Sequence, residues 1–114
     1  RETLRYAVRM KDYSGFVFMT NFQDHDTARL YQTDLQFRLN LQKESLSIPA
    51  KGTFTLKKDE SVILPFNLRM GDVVLKYATA QLLTKIEENG NDHYFFFAPE
   101  GFMPEYTFDK STVK

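Results

Sequence analysis

The chain is expected to fold as an all-β domain, an antiparallel β-sandwich or barrel-like arrangement of about eight to ten short strands. Three observations predict this. The 114 residues include 11 Phe and 6 Tyr, whose flat rings pack well on a pleated surface. Gly, Pro, Asn and Asp recur at short intervals and cut the chain into pieces of strand length. Residues 35–41, LQFRLNL, alternate by twos, with Leu35, Phe37, Leu39 and Leu41 set against Gln36, Arg38 and Asn40. That period places one face on a core and the other in water.

Taken in order, residues 4–10 alternate loosely and residues 12–15 signal a turn. Residues 15–21, GFVFMTN, are short, apolar and aromatic, as in a strand buried on both faces. Residues 22–29 are polar and predict a loop. After the alternating strand, residues 46–49 form a short apolar strand ending at Pro49, and residues 52–56 another with Phe54 and Leu56 inward. Residues 57–60, KKDE, make a charged turn. Residues 61–68 are again apolar, with Pro65 marking an edge or a bulge because proline cannot donate to a ladder. Gly71-Asp72 is the next turn.

Residues 75–86 are the ambiguous stretch. Leu75, Ala78, Thr79, Leu82 and Ile86 fit helical spacing, and Ala, Gln, Leu and Lys favour helix. No N-cap precedes them, however, and they run into Asn89-Gly90 and then the aromatic residues 94–98. An Asn-Gly turn between two such segments favours a hairpin, so strand is the reading adopted. Residues 106–108 close the domain, and residues 110–114 are expected to fray.

A chain of this length suits one domain, residues 1–114, large enough to bury roughly two-thirds of its unfolded surface. At 42% hydrophobic residues it is too apolar for disorder. Fifteen basic residues balance fifteen acidic ones, which removes the long-range attraction that drives binding to phosphate backbones, so no nucleic-acid partner is expected. No apolar run approaches the roughly 20 residues of a helical membrane span, and no cationic amphipathic segment suggests a membrane surface. The absence of cysteine excludes disulfides, thiolate metal sites and cysteine nucleophiles. Beginning at Arg1 without a leader pattern, the chain is expected to be a piece of a longer protein.

Few residues carry candidate chemistry. His25 lies between Asp24 and Asp26, but adjacent loop residues seldom face one ion, and a solvated turn accounts for them. His93 beside Asp92 could orient an imidazole as a base, yet no Ser or Cys nucleophile motif accompanies it. Glu87-Glu88 suit a solvated hairpin end. Glu100 and Glu105 have a spacing that permits a glycosidase pair without specifying one. The five glycines stand singly at turns and form no phosphate cradle. No catalytic residue, metal site or cofactor is therefore expected on this chain. The apolar residues Phe102 and Met103 are expected to form an interdomain surface.

Four stretches, taken together, resemble the β-domain that follows the catalytic barrel in glycoside hydrolase family 35, the β-galactosidase family. They are GFVFMTNFQ at residues 15–23, LSIPAKG at 46–52, LKYATAQL at 75–82, and the apolar strand, Gly-containing turn and closing EYTF within 94–108. They occur in the family's order across nearly the whole chain. The resemblance implies a non-catalytic accessory domain whose partners are the catalytic barrel and other domains of the same parent chain. It also implies a secreted or periplasmic setting. The parent's two catalytic glutamates would stand on a barrel of about 250 residues that this chain does not contain, so none carries over. Two other readings stay open at this point: an independent carbohydrate-binding module, which needs exposed rings in a row, and an unrelated structural or adhesion domain.

Overall fold

The computed structural model describes residues 3–22, 31–57, 60–99 and 102–113. Among the described residues, eleven strands and one 3-10 turn make up the fold. They are β1 (Thr3–Lys11), β2 (Ser14–Phe22), β3 (Tyr31–Leu35), β4 (Phe37–Asn40), β5 (Ser45–Ile48), β6 (Phe54–Lys57), β7 (Ser61–Met70), β8 (Val73–Ala78), β9 (Gln81–Glu88), β10 (Asn91–Phe97) and β11 (Tyr106–Phe108), with the 3-10 turn at Lys110–Thr112. Every pairing is antiparallel. One sheet runs β1-β2-β7-β8-β11, and three two-stranded pairs accompany it: β3 with β6, β4 with β5, and β9 with β10. The fold is all-β and sandwich-like, as the composition and turn spacing predict.

The core follows from strand alternation. Val17, Met19 and Asn21 on β2, Val62, Leu64 and Phe66 on β7, and Leu75 and Tyr77 on β8 are all buried. The pairs β3–β6 and β4–β5 cover this face with Leu39, Leu46, Ile48, Phe54 and Leu56, and Phe102 completes the cluster. Residues 35–41 keep the predicted alternation, with Leu39 buried and Leu35, Phe37 and Leu41 packed against the core. Their pairing changes partner at Gln36, though, from β6 to β5. That break is one reason the strands outnumber the sequence expectation.

Other departures have plain causes. The β1–β2 turn is the pair Asp12-Tyr13, with Asp12 at a φ of 60°, so Gly15 lies within the strand. A Cβ on Gly15 would meet the Arg9 carbonyl oxygen at 2.1 Å, so the bare backbone is what lets β1 close on β2. The β2 strand is buried on one face only, because Phe18 on the other is 38% exposed. Pro65 is in a central strand, one residue beyond the last β7–β8 pair, Phe66 with Tyr77. There its missing N–H costs no hydrogen bond to β8. Residues 110–113, expected to fray, are pinned: the Thr112 hydroxyl accepts from the Val74 N–H at 3.0 Å, and the Asp109 N–H donates to the Val74 carbonyl at 2.9 Å.

The ambiguous residues 75–86 are strand, as adopted, but they split between β8 and β9 at Thr79-Ala80. The helical spacing misleads because two strands meeting at a bend can mimic it. Asn89 and Gly90, at φ of 55° and 81°, make the predicted two-residue turn. The β9–β10 hairpin is exposed over most of its length. The molecule measures 50 × 32 × 24 Å, with a radius of gyration of 15.3 Å, against about 13 Å for a compact chain of this size.

Nothing lies within 4 Å of a Cβ built on Gly90, so replacing it with Ala adds only backbone strain. Gly90→Ala is expected to cost about 1 kcal/mol locally, a roughly fivefold faster amide exchange near the turn. The core transition in urea is expected to hold its midpoint, since hairpin tips open independently of the core.

Candidate functional site

Three of the four stretches singled out in the sequence meet at one half-buried junction built around the buried Tyr77 and Thr79. Ile48-Pro49 is a cis peptide bond, and the Ala50 N–H just beyond it donates to the Tyr77 hydroxyl at 2.7 Å. That hydroxyl in turn donates to the Glu105 carboxylate at 2.7 Å. Two residues on, the Thr79 hydroxyl donates to the Met103 carbonyl at 2.8 Å and accepts from the Glu105 N–H at 2.7 Å. The Thr79 N–H donates to the Glu105 carbonyl at 2.9 Å. The fourth stretch contributes Asn21, fully buried, whose side-chain N–H donates to the Leu56 carbonyl and whose backbone N–H donates to Glu60. Each donor named in this junction has an acceptor, as burial requires.

The network is built by strand geometry. Tyr77 and Thr79 alternate onto the same side at the end of β8, where β8 leaves the sheet, and β11 returns antiparallel so that Glu105 arrives beside them. Burial holds the Tyr77 phenol above its ordinary value of 10, and the adjacent Glu105 carboxylate adds to this. A phenol kept neutral, with its proton committed to a carboxylate, clamps strands and is not poised as a general acid at neutral pH.

A second polar cluster lines a cleft of about 570 Å³ beside the β1–β2 turn. Glu44 accepts from Lys76 at 2.5 Å and from the Asn67 side-chain N–H at 3.1 Å. Asn67, at a φ of 48° inside β7, also donates to the Tyr13 carbonyl at 2.8 Å. Lys76 thus holds the Glu44 carboxyl below its ordinary 4.5, against the opposing effect of burial. The charges are spent on one another, and the cluster ties the β4–β5 turn to β7 and β8.

A lowered folded-state pKa gives stability that is complete above the unfolded value and lost as pH falls through the folded one. Glu44→Gln is therefore expected to lower stability at pH 7 by about 0.5–1 kcal/mol, a figure discounted for the pair's partial exposure. The gap between variant and parent should close below about pH 4.5, the ordinary value of the group. Urea midpoints measured from pH 7 to pH 3 test this.

The other sequence candidates are not brought into a site. His25, with Asp24 and Asp26, lies outside the described residues, and so does Glu100. Asp92 and His93 do not form a dyad. As strand neighbours they point to opposite faces, Asp92 toward Lys85 at 3.9 Å and His93 toward Glu88 at 4.0 Å. Glu87 and Glu88 are exposed at the hairpin end. Among the described residues, no group of three His, Asp or Glu could hold a metal ion, and no helix is long and apolar enough to cross a membrane.

Phe102 and Met103, expected together on an interdomain surface, part company. Phe102 is 8% exposed and stacks on Phe54, with ring centroids 4.6 Å apart, whereas Met103 is 82% exposed. Composition marks both as apolar but does not say which way each turns. The junction residues that sequence reading missed as a group are Ala50, Tyr77, Thr79 and Glu105. Their signal was present only as separate motifs.

Comparison with known families matches residues 6–114 to the family described as beta-galactosidase, domain 2. Comparisons with curated proteins and with solved structures return no match.

Proposed function

Since this chain belongs to the beta-galactosidase domain 2 family, we propose that it is a non-catalytic accessory β-sandwich domain of a family 35 β-galactosidase-like glycoside hydrolase, supporting that enzyme's catalytic barrel. The observation that carries the reading is the junction of Ala50, Tyr77, Thr79 and Glu105. The residues that make the chain resemble the family are spent on holding strands together. A domain whose signature is structural serves its parent by being a rigid body.

The chemistry on this reading belongs to the barrel, and the domain acts by packing beside it. The test compares the full-length polypeptide with residues 1–114 expressed alone, using a chromogenic β-galactoside. Hydrolysis by the full-length protein and none by the domain is the expected result. Hydrolysis by the domain alone, or none by the full-length protein, would sink the proposal. A glycan array run on the isolated domain addresses sugar binding, and retention of galactosides there would favour a binding module instead.

A further inference from the structure

The five-stranded sheet ends on one side at β1, and among the described residues no strand pairs with its outer edge. Natural edges are commonly short, bulged or interrupted by proline, which keeps other strands off them. This edge has none of those devices. β1 runs nine residues without a proline and stays in unbroken register with β2 from Thr3 to Lys11. The turn fixes which backbone groups face outward. Lys11 and Ser14 flank the two-residue loop, and the pair flanking such a loop exchanges hydrogen bonds across the hairpin. Counting back by twos, Arg9, Ala7 and Arg5 bond to β2. Tyr6, Val8 and Met10 turn their N–H and C=O groups to the free side.

The two faces of β1 differ in chemistry. Tyr6, Val8 and Met10 lie opposite Met19, Val17 and Gly15, on the face that carries the core. They are 64%, 38% and 53% exposed, although Phe37 of β4 meets the Tyr6 ring edge-on at 5.1 Å. Arg5, Arg9 and Lys11 lie on the other face, opposite Thr20, Phe16 and Ser14. β2 carries no acidic residue to meet them, and none of the three has an ion-pair partner among the described residues.

We propose that β1 is a strand-addition site, and that an extended segment from another domain of the same polypeptide pairs along it, alternating acidic with apolar side chains. The inference rests on the reading of the chain as one domain of a multi-domain enzyme. The outward N–H and C=O groups of Tyr6, Val8 and Met10 call for a strand, because an extended backbone meets them at period two. Side chains opposite one another in a sheet share a face. The residues set beside Tyr6, Val8 and Met10 are therefore apolar, and those set beside Arg5, Arg9 and Lys11 are acidic. A second copy fails this match. Antiparallel pairing of two β1 edges keeps like faces together and sets cations opposite cations. Parallel pairing about a two-fold axis puts the basic face of one copy beside the apolar face of the other. A strand tethered in the same polypeptide pairs at high effective concentration, so the bonds along one edge suffice.

Amide hydrogen exchange at Tyr6, Val8 and Met10 tests this in the full-length polypeptide, with residues 1–114 at low concentration as the reference and circular dichroism to show that the reference is folded. Exchange at the three amides is expected to be about 100-fold slower in the full-length protein, the change from an open amide to one within a ladder. Equal rates overturn the proposal. Slowing that grows with the concentration of the isolated domain also overturns it, because the occupant would then be a second copy. Arg5→Glu with Arg9→Glu in the full-length protein is expected to bring the three amides back to within about threefold of the reference. Undiminished protection in that variant overturns the acidic match and the proposal with it.

If the isolated domain does not fold, Val8→Pro in the full-length protein answers instead. The Val8 N–H points away from β2, so proline there removes no bond from the β1–β2 ladder, and an edge strand tolerates it. A paired edge is expected to lose its added strand, with exchange at Tyr6 and Met10 rising about tenfold. Unchanged exchange overturns the proposal. Galactosidase activity of the same full-length sample keeps the two readings apart. Activity with open amides removes only the strand-addition site, and protected amides without activity remove only the enzyme assignment.

Discussion

Phe66→Ala is expected to destabilise the domain by about 3–5 kcal/mol, the cost typical of emptying a buried aromatic site. Phe66 is fully buried on the central strand β7, opposite Gly15 of β2 and Tyr77 of β8. Its ring lies among Val17, Leu64, Ile48 and the other members of the core cluster, which strands on both sides of the sandwich supply. Strands paired on both sides cannot shift inward far enough to refill the space. Domains of this size hold only about 5–15 kcal/mol in all, so the variant should be close to unfolded at 37 °C. The chain has no Trp, so far-UV circular dichroism in urea is the natural measurement. Phe18→Ala serves as the control. Phe18 sits on the other face of the same sheet and is 38% exposed, so a loss of about 1 kcal/mol is expected. Equal losses at the two sites would mean that the inner face is not the core.

Tyr77→Phe should cost about 1–2 kcal/mol although it removes a single oxygen. That oxygen accepts from the Ala50 N–H and donates to Glu105. Its loss leaves a donor and a carboxylate without their partner at the half-buried junction, where water replaces the lost oxygen only in part. The phenyl ring still fills the site, so packing is unchanged and the measured loss reports the hydrogen bonds. Pairing Tyr77→Phe with Glu105→Gln in a double-mutant cycle should show coupling, because both substitutions break one shared bond. Additive losses would mean that the junction is not a network.

Much of this architecture was legible in the chain. The alternation of residues 35–41, the Asn89-Gly90 turn and the closing strand at Tyr106–Phe108 all stand as the pattern predicts. Each depends on local chemistry, namely period-two side chains or residues that tolerate positive φ. What went unread was relational. Phe102 and Met103 are adjacent and both apolar, yet one stacks on Phe54 and the other faces solvent. Residues 110–113 look like a frayed tail until Thr112 is seen to hold Val74. Pro65 points to an edge strand by composition and lies instead in a central strand, where the neighbouring pairing has just ended.

The chain by itself determined that it is all-β, where most strands and turns fall, and that its motifs belong to a β-galactosidase accessory domain. Hydrophobic period and turn chemistry act within a few residues, so a short window holds the information. Only the tertiary structure decided what those motifs are for. Ala50 and Tyr77 are 27 residues apart, and Tyr77 and Glu105 are 28 apart, separations over which no local preference acts. Sheet pairing brings them to 2.7 Å, and the need to satisfy buried polar groups makes them one junction. The same pairing left Phe95 and Phe97 uncovered on the hairpin, as rings that the sequence presents simply as strand residues.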